Sequence, residues 1–268
     1  MRLENKTIWI TGASSGVGEG MAHVFHREGA NLIISGRRVA ELERVREACR
    51  QGPGRIMVLP FDITNRTERE AAAKLAMNAF DRIDVLVNNA GIGQRSLAVE
   101  TTLDVERRIM EVDYFGPTAL TKLVLPRMIE QQFGHLIVTS SVAGKHAVPM
   151  HTSYCAAKHA LHGYFDTLRV EHLNDNIDVT LLVIAGVRSN VFEHALTGDG
   201  SEYGKSDWGG GSGMTAEACA ERVVDTILSP EQEVVISIPE AAQAMELKEK
   251  DPAGFTERMA KMLEWMKA

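Results

Sequence analysis

Short apolar, β-branched runs recur along this chain, and longer stretches with apolar residues every three or four positions separate them. The runs predict strands over 7–11, 31–35, 55–60, 84–88, 135–140, 178–184 and 233–237. The stretches between them predict helices over 18–28, 40–50, 68–80, 102–131, 153–174 and 215–228. Strands that are apolar almost throughout, rather than at alternate positions, are strands buried on both faces. Their alternation with helices predicts an α/β fold, a doubly wound parallel sheet of about seven strands with helices on both faces. Ligands of such sheets sit beyond the carboxyl ends of the strands, so the residues just past each strand are where chemistry is expected.

Two segments break the rhythm. Residues 194–213 are rich in glycine and lie beyond the sixth strand. They read either as a flexible surface loop or as a substrate lid spanning about 190–214. The tail, 251–268, forms an amphipathic helical pattern with Phe255, Met259, Met262, Leu263 and Met266 near one face. That stripe predicts core or subunit packing. No linker composition divides the chain, so one domain over 1–268 is expected.

Composition narrows the setting. With 44% hydrophobic and 24% charged residues over 268 positions, the chain can bury a sizeable core. A net charge of −7 argues against nucleic acid as a partner. The three cysteines, Cys49, Cys155 and Cys219, form no CxxC pair and read as free thiols of a reducing compartment. The first residues, MRLENKTIWITG, lack a signal core, and no apolar run approaches the roughly 20 residues that span a bilayer. A soluble cytoplasmic protein without membrane contact is therefore expected. The nine histidines show no metal-ligand spacing, and metal catalysis is not expected.

The first strand runs into Thr11-Gly12-Ala13-Ser14-Ser15-Gly16-Val17-Gly18, after which a helix starts. Glycines at 12, 16 and 18 allow a tight turn and aim helix N-terminal N–H groups, with the Ser14 and Ser15 hydroxyls nearby, at a pyrophosphate. This is the nucleotide end of a Rossmann-like fold. The second strand ends in Gly36-Arg37-Arg38. An acid at this strand end grips the adenosine ribose hydroxyls, whereas arginine accommodates a 2′-phosphate. The sequence therefore favours NADP, with NAD as the alternative and Arg37 as the stronger contact. Asp62 and Ile63 follow the third strand, where the carboxylate can accept a bond from an adenine amine. Asn89, Ala90 and Gly91 follow the fourth, where small residues let backbone approach the adenosine half.

The chemical end lies in Ser140-Ser141-Val142-Ala143-Gly144 and Tyr154-Cys155-Ala156-Ala157-Lys158. Tyr154 and Lys158 share a helix face, four residues apart. A phenol has a pKa of roughly 10. A neighbouring ammonium and an oxidised nicotinamide are expected to lower it toward the working pH. Ser141 ends the preceding strand and can hydrogen-bond the same substrate oxygen. The order TGxxxGxG, NNAG, a serine thirteen residues before the tyrosine, and YxxxK resembles the short-chain dehydrogenase/reductase superfamily over residues 6–237. More loosely, the stretch from Met110 to Lys158 is similar to its hydroxysteroid- and retinol-type reductases. The resemblance implies Tyr154 as general acid/base, with Lys158 lowering its pKa and holding the nicotinamide ribose. It implies Ser141 polarising the reacting oxygen, hydride transfer between a secondary alcohol and a ketone, and a homodimer or homotetramer built through 102–131 and 153–174.

Two positions depart from that family. Asp113 stands where an asparagine usually completes a proton relay to the lysine, and is a fourth catalytic candidate. Ile184-Ala185-Gly186-Val187-Arg188-Ser189 keeps the spacing of PGxVxT but loses its Pro-Gly pair, leaving Val187 and Ser189 as candidate cofactor contacts. Substrate-side candidates are Gln94, Val142, His146, Met150, His151, Phe192 and Trp208, alongside Ser141. The alternative to an enzyme is a catalytically weak NADP-binding regulator or scaffold of the same fold. A nucleotide-sugar epimerase or dehydratase shares YxxxK but carries GxxGxxG and a larger substrate domain, both lacking here.

Overall fold

The computed structural model describes residues 1–49, 52–188, 191, 193–205 and 213–267. Seven strands, β1 (Thr7–Thr11), β2 (Asn31–Ser35), β3 (Ile56–Val58), β4 (Val85–Asn88), β5 (Gly134–Ser141), β6 (Ile177–Ala185) and β7 (Glu233–Ser237), form one sheet in the order 3-2-1-4-5-6-7. Every pairing is parallel. The helices among the described residues are α1 (Gly16–Arg27), α2 (Val39–Ala48), α3 (Arg66–Ala79), α4 (Leu103–Met110), α5 (Gly116–Glu130), α6 (Thr152–Glu171), α7 (Ala216–Leu228), α8 (Pro239–Lys250) and α9 (Pro252–Lys267). None is long and apolar enough to cross a membrane.

Alternation along β1 explains why helices cover both faces. Ile8 and Ile10 point to one side and pack with Met21 and Phe25 of α1 and Val223 and Val224 of α7. Trp9 points to the other, with Ala72 and Ala76 of α3, Leu120 and Val124 of α5, and Leu161 and Phe165 of α6. Burial of each large side chain contributes about 1.5–3 kcal/mol, so two such layers hold the sheet. The buried Trp9 indole N–H is satisfied by Ser35 Oγ at 2.9 Å. From β1 the sheet grows outward to β2 and β3, and β4 then lies on the opposite side of β1. That reversal leaves a crevice at the carboxyl ends of β1 and β4.

The predicted helix over 102–131 is interrupted. Between α4 and α5, residues Glu111–Phe115 form a π-helical turn in which the Gly116 N–H reaches the Glu111 carbonyl, five residues back. Pro117, which follows, has no N–H to restore the four-residue register. Gly116 is required there, because a Cβ would lie 2.9 Å from Ile63 Cγ1. Such single-turn bulges cluster at functional sites, and this one carries Asp113.

Two further differences concern segments outside the sheet. The sequence reading gave no helix to α8, whose one fully packed side chain is Ala244, too little to set an apolar period. Residues 193–205, part of the segment read as a flexible loop or a substrate lid, bond to the rest of the chain and to themselves. Leu196 exchanges backbone bonds with Gly93 and Arg95, and Tyr203 and Gly204 bond back to Ala195 and Glu193. Asp199 closes the turn by accepting from Thr197 Oγ1, Ser201 N and Ser201 Oγ. Those three bonds pull its carboxyl down to about 2. The remainder of that segment, including Trp208, lies outside the described residues.

Candidate active site

A cleft of about 1520 Å³ opens along the carboxyl edge of the sheet. A site for one small molecule occupies roughly 300–1,000 Å³, so this cleft has room for two ligands side by side.

One end is a cradle for phosphate. Gly12 and Gly16 adopt φ of +69° and +58°, which favours glycine. A Cβ on Gly12 would lie 2.8 Å from Ala90 Cα, and one on Gly18 would lie 2.3 Å from the Gly12 carbonyl oxygen. No side chain caps α1 at Ser15, so its first-turn N–H groups remain open to an anion. Ser14, Ser15 and Val17 line the cleft with them. Arg38 donates to Ser14 Oγ at 3.0 Å and to Ser15 Oγ at 2.8 Å, folding over this loop. Arg37 is exposed at the cleft rim.

The β3 and β4 ends complete this half. Asp62 and Ile63 line the cleft. Asp62 accepts from Thr64 N and Oγ1 at 2.9 and 2.8 Å. Burial opposes its charge, but the Thr64 bonds and the Arg108 and Arg37 cations outweigh that and hold it below the usual carboxylate range. Asn89 is committed to the protein itself. Its amide donates to the Thr11 and Gly12 carbonyls, and its oxygen accepts from Thr139 Oγ1. Thr11 Oγ1 in turn accepts the Asn89 and Ala90 N–H groups at 3.0 and 3.1 Å. Asn89 is thus a staple joining the ends of β1, β4 and β5. At Gly91 a Cβ would lie 3.0 Å from Asp113 Oδ2, so the loop closes tightly on the buried carboxylate.

The other end gathers the titratable groups. Ser141, the last residue of β5, bonds the Tyr154 phenol and accepts the Ala143 N–H at 3.2 Å. Lys158 Nζ lies 5.3 Å from the Tyr154 ring centre and donates to the Thr139 carbonyl at 3.1 Å. Asp113 Oδ2 is 3.3 Å from that Nζ, and Asp113 Oδ1 accepts the Ile92 N–H at 2.8 Å. Asp113 and Lys158 are 0% and 3% exposed, so the pair is shut off from water. The expected fall of the Tyr154 pKa is not what the protein alone produces. Burial pushes the phenol up, and Asp113 adds to that; Lys158 and the Ser141 bond pull it down without reversing the direction.

The substrate-side candidates divide. Val142, His146 and His151 line the cleft, with the His151 ring 6.1 Å from that of Tyr154. Gln94 and Met150 do not line it. Gln94 is fully buried and caps α6: its Oε1 accepts the Ser153 and Tyr154 N–H groups, and its Nε2 donates to Ser96, Thr101 and Thr152 hydroxyls. Met150 supplies its carbonyl to the Ser96 N–H and sits at φ +62° in the turn before α6. Val187 lines the cleft beyond β6, where Gly186 at φ +75° makes the turn without a Pro-Gly pair. Ser189 and Phe192 lie outside the described residues.

Sequence reasoning missed the far wall. Met259, Met262, Trp265 and Met266 of α9 line the cleft, joined by Arg95 from the loop after β4. Phe255 is buried against the His146 ring, 5.2 Å away, and docks this helix over the segment that follows Ser141. The amphipathic stripe announced an apolar face, but nothing in its spacing said that the face borders a cleft.

A model of the short chain dehydrogenase family matches residues 6–199. The chain is 39% identical over 264 residues to a dehydrogenase/reductase SDR family protein 7-like of Drosophila melanogaster, covering 97% of this chain and 81% of that one. It is 40% identical over 240 residues to dehydrogenase/reductase SDR family member 7 of Homo sapiens, covering 88% and 71%. A short-chain dehydrogenase structure from Streptomyces avermitilis superposes with a TM-score of 0.80 at 25% identity, covering 98% and 96%. An alcohol dehydrogenase from Thermococcus sibiricus, solved with 5-hydroxy-NADP, shares the fold with a TM-score of 0.75 at 24% identity, covering 86% and 95%.

Proposed function

Because the chain belongs to the short-chain dehydrogenase family and is an NAD(P)-dependent oxidoreductase, we propose that it interconverts a secondary alcohol and a ketone with NADP, using Tyr154 as general acid/base. The observation that carries this reading is the meeting of Ser141, Tyr154 and Lys158 at one end of a cleft whose other end is the glycine cradle.

A bound nicotinamide dinucleotide supplies or accepts the hydride. The chain's own groups do the rest. The first turn of α1 and the Ser14 and Ser15 hydroxyls hold the pyrophosphate. Arg37 and Arg38 meet a 2′-phosphate, which an acid at Gly36 would repel. Ser141 orients the substrate oxygen, Tyr154 gives it or takes from it a proton, and Lys158 stabilises the phenolate left after proton donation. Two ligands held side by side supply the proximity contribution to rate. The α9 methionines and Trp265 present an apolar wall to the substrate. Free thiols at Cys49, Cys155 and Cys219 suit a reducing, cytoplasmic setting. A homodimer or homotetramer through 102–131 and 153–174 accounts for exposed Leu103, Phe115, Val170 and Leu173.

The test is NADPH consumption against a panel of ketones and aldehydes, with NADP-driven alcohol oxidation in parallel, for the native chain and Tyr154→Phe. Turnover by the native chain, lost in Tyr154→Phe with NADPH binding retained, is the expected result. Equal turnover by both proteins overturns the mechanism; NADPH binding without turnover of any compound favours the regulator or scaffold.

A further inference from the structure

The buried ion pair is the feature that the shared chemistry does not account for. Asp113 is fully buried on the π-helical turn, 3.3 Å from Lys158 Nζ, with its second oxygen held by the Ile92 N–H. The same Nζ sits over the Tyr154 ring. The groups that act on the Tyr154 phenol come from four elements. Lys158 and Cys155 come from α6, Asp113 from the π-helical turn and His151 from the segment before α6; Ser141 of β5 contributes a hydroxyl.

A lone ammonium beside a phenol draws the proton off it, because the phenolate that forms is attracted to the cation. An ammonium already paired with a carboxylate does this far less, since the pair has no net charge. We propose that Asp113 is a charge-positioning residue whose buried carboxylate neutralises Lys158, keeps the Tyr154 hydroxyl protonated, and so biases the site toward carbonyl reduction over alcohol oxidation. The proposal rests on the reading of Tyr154 as the acid/base.

In reduction the carbonyl carbon gains a hydride and its oxygen gains the Tyr154 proton. The reduced dinucleotide ends oxidised, and the phenolate recovers its proton from water. That direction requires the phenol, which Asp113 preserves; oxidation requires the phenolate, which Asp113 opposes. The electrostatics agree with the geometry. Burial works against the Lys158 charge, yet Asp113 and Tyr154 together more than compensate and hold Lys158 above the ordinary lysine range. Burial raises the Asp113 carboxyl above the ordinary range, and Lys158 with the Ile92 N–H offsets only part of that rise.

The experiment compares the native chain with Asp113→Asn, which keeps the shape and removes the charge, and with Tyr154→Phe. Ionisation of Tyr154 is read by ultraviolet difference titration, with the Tyr154→Phe trace subtracted to remove the other tyrosines. The pH profile of kcat/KM is measured in both directions on one ketone and its alcohol. Asp113→Asn is expected to lower the midpoint of Tyr154 ionisation and of alcohol oxidation by about one unit, making oxidation about tenfold faster below the midpoint. An unmoved midpoint in folded Asp113→Asn, with Tyr154→Phe inactive, overturns the role of Asp113 and leaves the acid/base reading standing. Full activity in Tyr154→Phe overturns that reading instead. Should Asp113→Asn not fold, Asp113→Ser removes the same charge and is judged by the same midpoint.

Discussion

Gln94 holds Tyr154 by its backbone: the Gln94 Oε1 accepts the Tyr154 N–H at 3.3 Å while also accepting the Ser153 N–H at 2.8 Å. The first turn of α6 is therefore capped from another loop rather than by the residue before it, His151, whose side chain makes no cap bond. Gln94→Leu removes both bonds and its amide donations to Ser96, Thr101 and Thr152, although Ser96 and Thr101 keep the bond to each other. Loss of about 1–3 kcal/mol of stability is expected. Because the tyrosine shifts while the glycine cradle does not, kcat should fall about tenfold or more with NADPH affinity retained. Urea unfolding and steady-state kinetics measure the two effects separately.

Arg37 and Arg38 differ in their engagement. Arg38 already bonds two serine hydroxyls, whereas Arg37 stands exposed at the rim. A charge-assisted contact contributes about 1.5–3 kcal/mol, so Arg37→Ala should weaken NADPH by about 10–100-fold and NADH much less. Titration calorimetry with both dinucleotides decides it; equal losses would remove the 2′-phosphate contact.

Glycines 18 and 163 should respond oppositely to alanine. A Cβ at Gly18 lands 2.3 Å from the Gly12 carbonyl oxygen, while one at Gly163 meets nothing within 4 Å. Gly18→Ala should cost about 1–3 kcal/mol through overpacking and take dinucleotide binding with it. Gly163→Ala, inside α6, should stabilise by about 0.5–1 kcal/mol. Thermal melts of the two variants provide the comparison.

His135 should make the fold acid-sensitive. Its ring is buried in β5 with Nε2 2.9 Å from Thr180 Oγ1, and burial pushes its pKa down to about 3 from 6.5. The folded value lies below the unfolded one, so the unfolded chain takes up a proton that the folded chain refuses. Its contribution to stability is complete above about 6.5 and is lost progressively as pH falls toward about 3, a few kcal/mol in all. Unfolding midpoints between pH 7.5 and 5 should fall less steeply in His135→Gln than in the native chain.

Much of this architecture is legible in the chain, for a physical reason. Strands such as β1 are short, β-branched and buried throughout, so their bounds appear in the apolar pattern itself. The glycine cradle is legible because its backbone conformations exclude other residues. What stays hidden depends on distant partners. The apolar period runs unbroken through residues 111–115, so one long helix was expected where a π-helical turn tilts Asp113 toward Lys158. Gln94 looked like a substrate contact because it follows a strand end, yet its partners lie some sixty positions away. The glycines of 193–205 announced a loop, but not the backbone bonds through Leu196, Tyr203 and Gly204 or the turn that Asp199 closes.

The α9 wall separates two kinds of information along the chain. Every residue assigned to proton transfer falls within 6–199, the part that the family model matches, while the methionines and Trp265 that line the cleft fall after it. Selectivity can then drift by exchanges in one short helix that leave Ser141, Tyr154 and Lys158 untouched. Grafting residues 252–267 from a relative onto this chain should transplant a preference for size and shape while the catalytic apparatus carries on unchanged.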